Sequence, residues 1–191
     1  MLFIFLNDYN KMRKSKLTIT ILLLLLAVCT RFIPHAPNFT AIGSLTLLGG
    51  FWMRGKRGFV LIPLILLFMS DLVLNNLFYK GSSGFTWFYS GMGFVYAGHL
   101  AMMAWGNYIV KNPTKLSWIG HAAGANMIFF LISNFGVWFG NPSIPQDIGG
   151  LFLTYSLAIP FYLSSLAGTL AYGFVMLFSL SKVLNTALVK N

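Results

Sequence analysis

Acidic side chains are almost missing from this sequence. Asp8, Asp71 and Asp147 are the only carboxylate side chains among 191 residues, and charged residues of both signs make up just 8%. A soluble domain carries about 25% charged residues to cover its surface, so this chain lacks the means to face water on every side. A single cysteine, Cys29, excludes an internal disulfide and a cysteine-rich metal site. The three histidines, His35, His99 and His121, share no ligand spacing, which argues against a bound metal. Walker loops, HExxH runs, paired carboxylates and a nucleophile set against a base are all missing. Asp71 with His35 is the one acid/base pair left to consider, so the chain reads as a non-enzyme that needs no cofactor.

What the chain has instead is apolar length. Hydrophobic residues make up 57%, mean hydropathy is +0.75, and the net charge is +10. Such a charge would suit nucleic acid, but the basic residues sit in short clusters between apolar runs. That arrangement fits membrane orientation and anionic headgroups, making the lipid bilayer the expected partner and nucleic acid an unexpected one. Residues 1–16 followed by an apolar run resemble a secretion signal, and Leu26-Ala27-Val28-Cys29 resembles a lipoprotein cleavage box. Val28 is bulky where that box needs a small residue, and further spans follow, so the first run reads as a retained helix.

A helix needs about 20 residues to cross the hydrocarbon core, with a range of roughly 17 to 25. Six runs qualify or nearly do: 17–30, extended to 33 with Arg31 snorkelling outward; 39–53; 58–76; 85–110; 116–139; and 148–180. The last is too long for one upright helix and holds Pro160 at its middle. It predicts either a tilted, kinked span or an interfacial or re-entrant segment leading into a helix. Lys11, Arg13, Lys14, Lys16, Arg54, Lys56, Arg57, Lys111, Lys115, Lys182 and Lys190 all fall on one side of a six-span map, leaving Arg31 and Lys80 opposite. The positive-inside rule then puts both termini in the cytoplasm. The expected layout is a basic tail over 1–16, one all-α six-helix transmembrane domain over 17–182, and a short cytoplasmic tail over 183–191.

Within that map the costly polar residues gather near the outer face. A carboxylate in a span costs about 2.5 to 3.5 kcal/mol on insertion scales, so Asp71 calls for a partner or a task. Arg31 is the natural counter-charge, either as a structural tie or to orient a ligand. Asn75, at i+4 from Asp71, points the same way. Pro34 and Pro37 in RFIPHAPNFT forbid a continuous helix and stiffen the loop that carries His35, Asn38 and Thr40; Asn38 or Thr40 also suits the cap of the next helix. Asn134 and Trp138 share a face near the outer end of the fifth run, where an amide beside an indole can grip a flat polar molecule. Trp87, Phe88 and Tyr89 open the fourth run as an interfacial belt. Small residues recur every four positions at Gly93, Ala97 and Ala101, at Gly120 and Gly124, and at Ser165, Thr169 and Gly173, predicting close helix contacts.

Several of these stretches occur together in one known family. RFIPHAPNFT with Ala41-Ile42-Gly43 and Leu47-Leu48-Gly49-Gly50, then Met69-Ser70-Asp71, Ser133 through Trp138, and Tyr155 with Ala158-Ile159-Pro160-Phe161 resemble an uncharacterised family of small six-span bacterial membrane proteins. That family is similar in size, span count and orientation to the S components of energy-coupling factor (ECF) transporters. The resemblance implies a six-helix, ECF S-component-like bundle in the bacterial inner membrane that takes a vitamin-like or other small polar substrate from outside. It also implies a coupling subunit and ATPases as partners, which S components meet through small residues of the first helix; here that helix offers only Ala27. The expected binding residues are Arg31, His35, Asn38, Asp71, Asn75, Asn134 and Trp138. The alternative is a non-catalytic structural or assembly subunit of a larger membrane complex, with the same polar residues forming an internal network.

Overall fold

The computed structural model describes residues 24–25, 27–52, 61–79, 84–109 and 114–188. At its centre lies α1, Ile42–Trp52, whose sequence IGSLTLLGGFW carries no charge. Every residue from Ala41 to Gly50 is buried, as expected of a helix that is apolar all round and wrapped by others. Around it stand α2 (Ile62–Val73), which runs on as a π-helical turn at Leu74–Phe78, α3 (Met92–Tyr108), α4 (Lys115–Gly140) and α5 (Ile148–Leu188). The described residues contain no strand. Of the first apolar run, 17–23 lies outside the described residues. Residues 27–29 are helical, and the chain then turns at Thr30 to Phe32 with Arg31 N–H donating to Val28 O and Phe32 N–H to Cys29 O, both at 3.0 Å. The helix therefore stops short of Ile33.

Glycine lets α1 approach its neighbours at backbone distance. A Cβ on Gly106 of α3 would lie 1.9 Å from the carbonyl oxygen of Leu47, and one on Gly50 would lie 2.0 Å from that of Met103. The two helices thus cross with nothing between their main chains. Leu45, Leu47 and Leu48 of α1 meet Leu67 of α2, Met102 of α3, Trp118, Ala122 and Ala125 of α4, and Met176 of α5 in one core. Of the small-residue stripes, Thr169 and Gly173 are buried, whereas Gly93 and Ala97 are exposed and nothing lies within 4 Å of a Cβ on Gly93. On α3 the close-packed face carries Gly98, Met102 and Gly106 instead.

Local chemistry sets the helix ends. Thr114 and Ser117 form a reciprocal capping box that starts α4. Asp147 Oδ1 accepts from Gly150 N–H at 2.7 Å at the start of α5. Asn76 clamps the connection after the π turn, donating to Thr86 O at 3.0 Å and accepting from Thr86 N–H at 2.7 Å. The fourth run begins as a helix only at Met92, so Trp87, Phe88 and Tyr89 belong to the connection before α3 and not to a helix. The last run is one continuous 41-residue helix with Pro160 inside it, so the chain does not double back there as a re-entrant segment would.

Two helices, Leu116–Gly140 and Ile148–Leu177, are long and apolar enough to cross a membrane. Only 22% and 17% of their most apolar windows are buried, unlike the core helix of a soluble protein. Phe152, Leu163 and Val175 of α5 face outward.

Candidate functional site

Arg31 and Asp71 come together. Asp71 lies on the buried side of α2, and the turn after Cys29 swings the guanidinium against it, with Nη2 2.6 Å from Oδ1. Nη1 donates to Ser70 Oγ and, at 3.3 Å, to Leu67 O. Ser70 in turn donates to Leu67 O at 2.8 Å. On the other carboxylate oxygen, the Tyr96 hydroxyl donates to Oδ2 at 2.8 Å. Asp71 is thus held from both sides by charge-assisted bonds, which is how a carboxylate is tolerated away from water. In the connection before α3, Tyr89 has its phenol pushed up by burial and then by the nearby Asp71 carboxylate, so it remains protonated.

Arg31 also forms part of the wall of a cavity of about 760 Å³. Its floor is α1 at Ile42 and Gly43, and its sides come from α2, α3, α4 and α5. Along α4 the lining residues are Asn126, Phe129, Phe130, Ser133, Asn134 and Val137, a helical stripe at spacings of three and four. Leu153, Thr154, Leu157, Ala158, Phe161, Tyr162 and Ser165 give the matching stripe on α5. His35, Pro37 and Asn38 line it from one loop and Ile144 from another.

Of the seven residues expected from the sequence, Arg31, His35, Asn38 and Asn134 line this cavity, while Asp71 stands behind Arg31. Asn38 takes a positive φ of 64°, a conformation that asparagine tolerates better than most residues, and the ring of exposed His35 bonds Ala36 O through Nδ1 at 2.7 Å. Neither Asn38 nor Thr40 receives the first N–H of the next helical stretch; Ala41 N–H donates to Thr30 Oγ1 at 3.0 Å. Asn134 Nδ2 donates to Phe130 O at 2.8 Å, and its Oδ1 accepts from no described residue.

Asn75 and Trp138 are not in the lining. Asn75 falls in the π turn, where its neighbour Leu74 lines the cavity in its place. Trp138 Nε1 donates to Pro145 O at 3.0 Å, fastening the loop that Gln146 also ties to Trp138, Asn141 and Ile144. By that turn the α4 stripe has drifted to Val137, because a 3.6-residue repeat does not return to the same angle after four residues.

Four wall or support residues were not expected from the sequence. Tyr96 completes the Asp71 pair. His99 is 6% exposed, lines the cavity, and packs on Phe129 with centroids 4.6 Å apart. Asn126 accepts at Oδ1 from Ser165 at 2.8 Å and Thr169 at 3.3 Å and donates to Ala122 O at 2.8 Å. An amide in the middle of a 26-residue apolar helix, facing the Ser165 and Thr169 pair, was the available signal for Asn126 and Ser165. Among the described residues no group of three or more His, Cys, Asp or Glu side chains is placed to hold a metal ion.

The arrangement can present a fixed cation, an amide oxygen and an imidazole to a molecule held between aromatic walls. No curated protein and no solved structure matches the chain. A family model described as "family of unknown function (DUF6580)" matches residues 11–189, and the chain belongs to that family.

Proposed function

We propose that this protein is a small, non-catalytic, multi-pass membrane transport protein. In this reading six spans place both termini in the cytoplasm of a bacterial cell, and an S-component-like subunit captures a small polar micronutrient from the outer face. One observation carries it: Arg31, held by its ion pair with Asp71, lines a cavity of about 760 Å³. Ligand pockets are mostly about 300 to 1,000 Å³, apolar, with a few placed polar groups. A guanidinium already immobilised loses little entropy on capture, and it suits a carboxylate or phosphate. A cavity flanked by two loops near the outer ends of the helices fits uptake from outside. A coupling subunit and ATPases would supply energy; Ala27, the one small residue of the first run, is buried in the core, so contact with a coupling subunit would use another surface.

The second reading is favoured by the bonds of Arg31 itself. Asp71, Ser70 and Leu67 O occupy much of its donor set, as they would in a structural tie within a subunit of a larger complex. Native mass spectrometry of gently extracted protein separates the two. Transport predicts a co-purifying small molecule that Arg31→Ala loses while the variant still inserts and folds. A wild-type protein free of any small molecule, with Arg31→Ala affecting only melting temperature, would favour the structural subunit.

A further inference from the structure

His99 is a buried polar side chain that takes no part in the Arg31–Asp71 pair. It is more than nine-tenths buried, lines the cavity, and its Nδ1 lies 3.4 Å from Thr46 Oγ1. The Thr46 hydroxyl has one proton, and the carbonyl oxygens of Ile42, at 3.0 Å, and Gly43, at 3.1 Å, are better placed to take it. Thr46 therefore accepts from His99, and Nδ1 carries the ring proton. No acid contacts the ring, and a charge buried there without a partner would be costly. Nε2 is then a bare acceptor that no described residue satisfies, and the cavity is the space left for its donor. Phe129 packs against the ring, with centroids 4.6 Å apart.

We infer that the cavity takes an organic anion with a flat apolar middle and a hydrogen-bond donor at its far end, the anionic group on Arg31 and the donor on His99 Nε2. The inference rests on the cavity being a ligand site and specifies what enters it. Phe129, Phe130 and Phe161 supply the apolar walls for the middle, and Arg31 and His99 differ in kind, one donating and one accepting. A molecule with two acidic ends would leave Nε2 unpaired, which a buried polar site penalises.

The test uses the full chain in detergent, with 4-hydroxybenzoate and 3-(4-hydroxyphenyl)propionate as probes, each set against its methyl ether. The phenols donate and the ethers do not. At least one phenol is expected to stabilise the wild-type protein and to bind about tenfold tighter than its ether, the effect of one hydrogen bond. His99→Leu should erase that preference, and His99→Gln, which retains an acceptor, should restore part of it. Long-range 15N spectra of histidine-labelled protein should show the His99 proton on Nδ1; a proton on Nε2 would overturn the inference even if no variant folds. Phenol and ether binding equally, or His99→Leu keeping the preference, would overturn the role of His99 while leaving the cavity a ligand site. Failure of all four acids to bind would overturn the inference, and the cavity would remain a ligand site only if native mass spectrometry still finds a small molecule on the wild-type protein that Arg31→Ala loses.

Discussion

At the residue scale the Arg31–Asp71 pair dominates, and its energetics are asymmetric. Removing one member of a shielded pair strands the other, at about 3 to 5 kcal/mol, while replacing both with apolar groups is often nearly neutral. Arg31 keeps 17% side-chain exposure, so the lower end of that range applies. Asp71→Asn is expected to cost about 3 kcal/mol, Tyr96→Phe about 1.5 kcal/mol for its bond to a charged acceptor, and the Arg31→Met, Asp71→Leu double variant less than Asp71→Asn alone. Thermal melting of the four purified proteins checks the order; a double variant worse than both singles would contradict it. The pairing itself was legible in the sequence, since an acid in an apolar run with one nearby cation has few other choices. Tyr96 was not, because a tyrosine among Val95 and Ala97 reads as an ordinary apolar position until a carboxylate is placed beside it.

At the element scale, close crossings decide what is tolerated. Gly106→Ala would drive a methyl group into the Leu47 carbonyl, and rigid backbone on both sides leaves nowhere for it to go. A loss of about 2 to 3 kcal/mol, or failure to fold, is expected, measured as the yield of monodisperse protein and its melting temperature. Gly93→Ala, with open space around it, should change stability by no more than about 0.5 kcal/mol. Spacing in the sequence pointed to Gly93 and not to Gly106. The stripe Gly93, Ala97 and Ala101 has the more regular spacing, yet Gly98 and Gly106 touch other helices. Spacing identifies a stripe; only a neighbour decides whether the stripe is used. Pro160 is similar: it removes a ladder bond to the carbonyl of Ser156, and the helix nevertheless continues on both sides.

At the scale of the whole molecule, the six-span reading makes a prediction about sidedness. With Cys29 replaced by Ser, a single cysteine at Ser143 should react with a membrane-impermeant maleimide added to intact cells. One at Lys190 should react only after the membrane is opened. The reverse pattern, or equal reaction at both, would contradict the assignment of both termini to the cytoplasm.

Composition alone determined that this chain cannot cover itself with charge, that its helices are apolar, and that an acid placed within one of them needs a partner. Those conclusions follow from transfer energies, which depend on residue type and not on position in space. Tertiary structure decided which polar groups share a cavity. It left Asn75 outside the lining, tied Trp138 to a loop instead, and brought His99, Asn126 and Ser165 in from three helices. Those outcomes depend on helix phase and on contacts between distant segments, quantities that no local stretch of sequence contains.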